Sequence, residues 1–117
     1  MFQIVRVYTD SDGDSHFEDV QLPLQDRGAV GRLSEAFPAK SIVFREVKAS
    51  YDWDFHTAPA RQYIVLLDGE IEIETSLHDR RIFKPGDVLL MEDTTGKGHK
   101  TRNLRPEKRR SIFITLP

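Results

Sequence analysis

Cysteine is missing from this 117-residue chain. Its absence excludes disulfides, thiolate zinc sites and cysteine nucleophiles together. Long apolar runs are missing too: the longest, IVLL from Ile64 to Leu67, is far too short to span a bilayer. Neither sign of charge dominates, since 17 Lys and Arg face 19 Asp and Glu for a net charge of −2. The chain as a whole is therefore drawn electrostatically toward neither nucleic acid nor a membrane. Repeats, linkers and low-complexity segments are absent. The opening residues, MFQIVRVYTD, alternate in polarity and turn acidic, unlike a signal peptide. A cytoplasmic protein with no membrane partner is expected.

With 38% hydrophobic and 31% charged residues, the composition is that of a folded chain rather than a disordered one. Its length predicts one domain over 1–117, able to bury about 65% of its unfolded surface. Runs of four to six β-forming residues, each closed by a turn signal, predict an all-β sandwich or barrel. An N-terminal hairpin is expected over about 2–22, turning at Asp12-Gly13. Asp10, Asp12 and Asp14 are spaced as in a calcium loop, but Ser15 and Gln21 stand where that loop needs Gly and Glu, so the segment reads as a solvated turn. Around RLSEAF, closed by Pro38, one short helical turn is expected at the surface. A core barrel is expected over about 41–115. SIVFREVKA reads as a strand and YDWDFHTAPA as a loop entering the next one. In EIEIE, Ile71 and Ile73 face inward and the glutamates face solvent. QYIVLL is apolar on both faces, as for a central strand covered by a further layer, and a homodimer partner or the N-terminal hairpin would supply it.

The chemistry-bearing residues concentrate in two strings. DFHTAPARQYIVLLDG holds His56 and Gln62 before the Asp68-Gly69 turn, and GKGHKTRN holds His99. Residues two apart on a strand share a side, so Asp54, His56 and Ala58 share a face if extended, as do His99, Thr101 and Asn103.

These strings resemble the two motifs of the small single-domain cupins, which are all-β jelly-roll barrels. In the first motif, His-x-His, three or four residues, Glu, six residues and Gly, His56 and Gly69 match, while Ala58 replaces the second histidine and Gln62 the glutamate. In the second, Pro-x-Gly-x-x-His-x-x-x-Asn, Gly96, His99 and Asn103 match and Thr94 replaces the proline. The resemblance covers about 41–115. It implies a divalent ion (Zn, Ni, Mn or Fe) inside the barrel, held by His56, Gln62 and His99, with Asp54 a candidate substitute for the missing carboxylate. Two imidazoles and an amide leave the ion's charge uncompensated, which favours a small anionic, oxygenated ligand.

Two functions stay open. One is a metal-dependent isomerase, lyase or dioxygenase using the ion as a Lewis acid. The other is a binding module that holds a small molecule without metal or chemistry. His16 and His78, in turn-like charged surroundings, read as surface residues. Trp53 and Phe55 either line a pocket or pack. Glu92 and Asp93 read as a solvated loop, with an acid–base role at the barrel mouth as the alternative. Lys97, Lys100, Arg102, Arg105, Lys108, Arg109 and Arg110 form a basic cluster. It lacks interleaved aromatics, so it is read as paired with acidic strands or as a positive mouth rather than as a nucleic-acid surface.

Overall fold

The computed structural model describes residues 1–117, all of them in strands, turns or irregular connections apart from one short 3-10 turn. β1 (Phe2–Thr9) and β2 (Ser15–Leu22) pair antiparallel from Phe2–Leu22 to Thr9–Ser15, giving the N-terminal hairpin the turn residues require. Asp10 organises that turn by accepting hydrogen bonds from the backbone N–H groups of Asp12 and Asp14. The helical turn expected around RLSEAF does not form. The 3-10 turn lies earlier, at Gly28–Val30, between the two-residue strands β3 (Gln25–Asp26) and β4 (Arg32–Leu33). Residues 34–40 have no regular structure, consistent with a segment too short to nucleate a helix and stopped by proline.

The remaining strands are β5 (Ser41–Val47), β6 (Asp52–His56), β7 (Gln62–Leu66), β8 (Ile71–Thr75), β9 (Arg80–Phe83), β10 (Val88–Met91), β11 (His99–Asn103) and β12 (Arg109–Thr115). Their pairing is nested and antiparallel: β5 with β12, β6 with β11, β7 with β10 and β8 with β9. The segment thus behaves as one long hairpin rolled up, with successive pairs falling in opposite sheets. One sheet has six strands in the order β2-β1-β10-β7-β12-β5, with β1 added parallel to β10. The other has four, β6-β11-β8-β9. No ladder joins the two, so the closed barrel expected from the motifs is instead a pair of separate sheets. No helix is long and apolar enough to cross a membrane.

The core lies between the sheets. Val7, Leu66, Leu89 and Met91 from the larger sheet meet Ile71, Ile73 and Phe83 from the smaller. Ile71 and Ile73 are buried as the alternation of EIEIE predicts, and the glutamates on the opposite face pair with arginines: Glu70 with Arg105, Glu72 with Arg102, Glu74 with Arg80. β7 is central, between β10 and β12. DWDFH, expected as a loop, is the strand β6. Its aromatic content suits the pleated surface it shares with β11.

Candidate functional site

β6 ends, β7 begins and β11 begins at one end of the space between the sheets. His56 and His99 are direct partners across the β6–β11 ladder. Their rings lie 4.5 Å apart between centroids, tilted by 58°. Gln62, at the start of β7 in the facing sheet, lines the same cavity. The three residues singled out in the sequence therefore do border one interior space, of about 250 Å³.

The face of β6 differs from the expected one. His99 pairs with His56, yet Thr101, two residues on, pairs with Trp53, three residues back. One extra residue in β6 makes a bulge, which reverses the alternation beyond it. Trp53, and not Asp54, therefore joins His56 at the cavity. The indole stacks on the His56 ring at 3.7 Å and 13°. Asp54 is exposed, with its carboxylate accepting from the Phe55 N–H, so it is not placed to replace a missing ligand. Phe55 is exposed on the far side, edge-on to His78. Ala58 is buried and lines the cavity without offering a donor atom.

Both imidazoles are fixed through Nδ1. That of His56 donates to the Asp54 carbonyl oxygen at 2.8 Å. A carbonyl only accepts, so Nδ1 carries the proton and Nε2 is left with its lone pair. That of His99 bonds the Asp93 carboxylate at 2.5 Å. Asp93 is fully buried, and its other oxygen, Oδ1, has no partner. The expectation of a solvated loop for Asp93 fails because its carbonyl accepts the Ala58 N–H, drawing the residue under His99. Glu92 points the other way and pairs with Arg6 and Arg61. Desolvation holds the His56 imidazole below its ordinary range, only partly offset by the Asp54 carbonyl, and the nearby His99 and Arg45 push it the same way.

Gly98 makes this arrangement sterically feasible. A side chain there would meet the His56 carbonyl oxygen at 2.1 Å, and its φ of +75° is one that L residues rarely adopt. The turn of the N-terminal hairpin braces the same loop, with Ser15 Oγ donating to the Gly98 carbonyl and Lys97 pairing with Asp14.

Two further residues at the cavity escaped the sequence reading. Arg45 on β5 and Arg109 on β12 reach it from the larger sheet, with Tyr51 beside both. Arg109 had been grouped with the basic cluster. Of the rest of that cluster, Arg102, Arg105, Lys108, Arg110 and Lys97 are paired to acids on the exterior, as expected, and Lys100 is not. The alternation of β12 buries Arg109 while exposing Arg110. That contrast was available from strand periodicity. The pairing of inward arginines from two strands was not.

No group of three His, Asp or Glu side chains is arranged to hold a metal ion. His56, Gln62 and His99 offer three neutral donors, and no carboxylate lines the cavity. The Nδ1 hydrogen bonds are of the kind that orient ligating histidines. The charge, however, is wrong for a resident ion in a cavity that two guanidiniums also line, so the residues fit a divalent ion only together with an anionic ligand.

The fold and the site define a small all-β chain of two facing sheets with a polar-ended cavity between them. No protein-family model matches it, and no curated protein matches it either. Among solved structures it is similar to protein NMB1881 from Neisseria meningitidis, with a TM-score of 0.46 and 14% identity over 83% of this chain and 84% of that one.

Proposed function

We propose that the chain is a cupin-type jelly roll whose inter-sheet cavity binds a small organic anion, with His56 and His99 as the groups that act on it. The nested strand pairing supports the jelly-roll reading, because two interleaved four-stranded sets are that architecture. The observation that carries the functional reading is the pair of imidazoles at the cavity, each with Nδ1 tied to an oxygen and Nε2 free. Asp93 orients the His99 ring through Nδ1 and turns its Nε2 toward the cavity, while desolvation favours the neutral form of His56. Two Nε2 atoms facing one cavity can take up and return a proton on a bound molecule, which suits isomerase or lyase chemistry on a carboxylic acid.

The test follows the imidazole resonances by NMR while a panel of small carboxylic acids and their neutral amides is added. Acids should shift His56 and His99 and leave His16 and His78 unmoved. Four histidines responding alike, or none responding, would remove the reading.

A second reading is favoured by the fixed Nδ1 atoms: a divalent ion held by His56, Gln62 and His99, supplying a Lewis acid when bound. Elemental mass spectrometry after dialysis should then find zinc, nickel, manganese or iron retained with a bound carboxylate and lost without one. The binding module without chemistry differs from both by taking up the acid and returning it unchanged.

The same proposal takes the chain as a homodimer. β5 is an edge strand with an open ladder and with Ile42, Val43 and Phe44 exposed, a surface that a second β5 would cover. Nucleic acid is not proposed as a partner, since most of the basic cluster is matched by carboxylates.

A further inference from the structure

Seven arginines have a carboxylate within 4 Å: Arg6, Arg61, Arg80, Arg81, Arg102, Arg105 and Arg110. All seven are at least partly exposed, where such a partner contributes least. Arg109, only 2% exposed, has none. Its Nε donates to the Asn103 side-chain oxygen at 3.0 Å, and its guanidinium lies 5.5 Å from the centroid of the Tyr51 ring. Arg45 lies 5.0 Å from the same centroid and also lacks a carboxylate. Two like charges, buried Arg109 and half-buried Arg45, thus face one cavity that no carboxylate lines. A buried charge without a partner is strongly unfavourable, and guanidiniums bind carboxylates through paired hydrogen bonds. On the same rung of the ladder as Arg45, Ser111 is buried with its hydroxyl unpartnered.

The strand positions that carry the arginines and the histidines stand toward opposite ends of the sheet faces lining the cavity, although the charge of Arg45 still reaches His56. Register places Gln62 beside Thr115, and Leu66 beside Ser111 and hence Arg45. Those rungs are four residues apart, about 13 Å along the strands. β11 repeats the interval from His99 to Asn103, the partner of Arg109. Between the ends the wall is mostly apolar, formed by Ile64, Leu66, Ile73, Leu89 and Phe113, with the Thr101 hydroxyl as a single polar group among them. A fully hydroxylated sugar acid would leave most of its hydroxyls unpaired against that wall, since Thr101 could meet only one of them.

We infer that Arg45 and Arg109, flanking Tyr51, form a carboxylate-binding pole, and that the ligand is an elongated monocarboxylic acid with an apolar middle. The assignment of its far end to His56 and His99 rests on the function proposed above. The carboxylate pole rests on the arginines alone.

Titration calorimetry with hexanoate, its neutral counterpart hexanamide, and 6-hydroxyhexanoate separates the two. Hexanoate should bind at least tenfold more tightly than hexanamide. Arg45→Met and Arg109→Met should each weaken hexanoate at least tenfold, and Arg45→Met serves if the buried Arg109 variant does not fold. His56→Asn and His99→Asn should remove any advantage of 6-hydroxyhexanoate over hexanoate. Equal affinity for hexanoate and hexanamide, no heat from either at millimolar concentration, or an unaffected Arg45→Met variant would each overturn the carboxylate pole. If hexanoate behaves as expected but the histidine variants do not alter 6-hydroxyhexanoate binding, the pole stands and the role given to the imidazoles falls.

Discussion

At the residue scale the site depends on which atoms are left without water. Asp93 is fully buried with one oxygen on His99 and the other unpaired, so its carboxylate is held in place chiefly by the imidazole. Breaking such a pair from one side leaves a buried polar group without its partner, at a cost of about 2 kcal/mol. Asp93→Ala should lower the unfolding free energy in urea by about that amount, and a loss under 1 kcal/mol would show the pair to be solvated. His56 makes a separate prediction. Burial lowers its pKa from the ordinary 6.5, so as pH falls through 6.5 the unfolded chain takes up the proton first. The contribution of neutral His56 to stability is complete above that value and is lost as pH falls to its lower folded-state value. His56→Gln should therefore gain stability relative to the wild type between pH 7.5 and 5.5, measured by urea unfolding at each pH. A pH-independent difference would contradict the desolvation of His56.

At the element scale, the strands that carry the histidines are held in register by one bulge and one glycine. The bulge in β6 exchanges Asp54 for Trp53 at the cavity. No propensity of DWDFH announces it, because a bulge is fixed by the partner strand. Gly98 is different in kind from Gly86, though both have positive φ: the first faces the His56 backbone and the second open space. Gly86→Ala should cost about 1–2 kcal/mol, the penalty of the left-handed conformation alone. Gly98→Ala should cost roughly twice as much or more, because β6 and β11 must separate, and should displace the His56 resonances. Equal losses for the two variants in thermal unfolding would show that the close approach does not constrain the strands.

At the scale of the whole molecule, the larger sheet leaves β5 at its edge with Phe44 74% exposed. Light scattering should report twice the mass of one chain, and Phe44→Glu should shift it to the monomer by placing a charge in the covered surface. A monomeric wild type would exclude the homodimer and leave the edge to solvent.

The sequence by itself determined the elements that obey a local period: the N-terminal hairpin at Asp12-Gly13, the inward Ile71 and Ile73, and the surface position of His78, whereas His56, Gln62 and His99 were brought together only by the resemblance of their two strings to known motifs. Alternation of side chains and turn chemistry act over a few residues, so they can be read from a string. Only the tertiary structure decided that the sheets stay separate, that Trp53 rather than Asp54 flanks His56, that Asp93 lies beneath His99, and that Arg45 and Arg109 meet beside Tyr51. Each of these depends on register between strands distant in sequence, such as Arg45 opposite Ser111, and on which charges are removed from water when the two sheets come together. Neither condition leaves a mark on any one stretch of the chain.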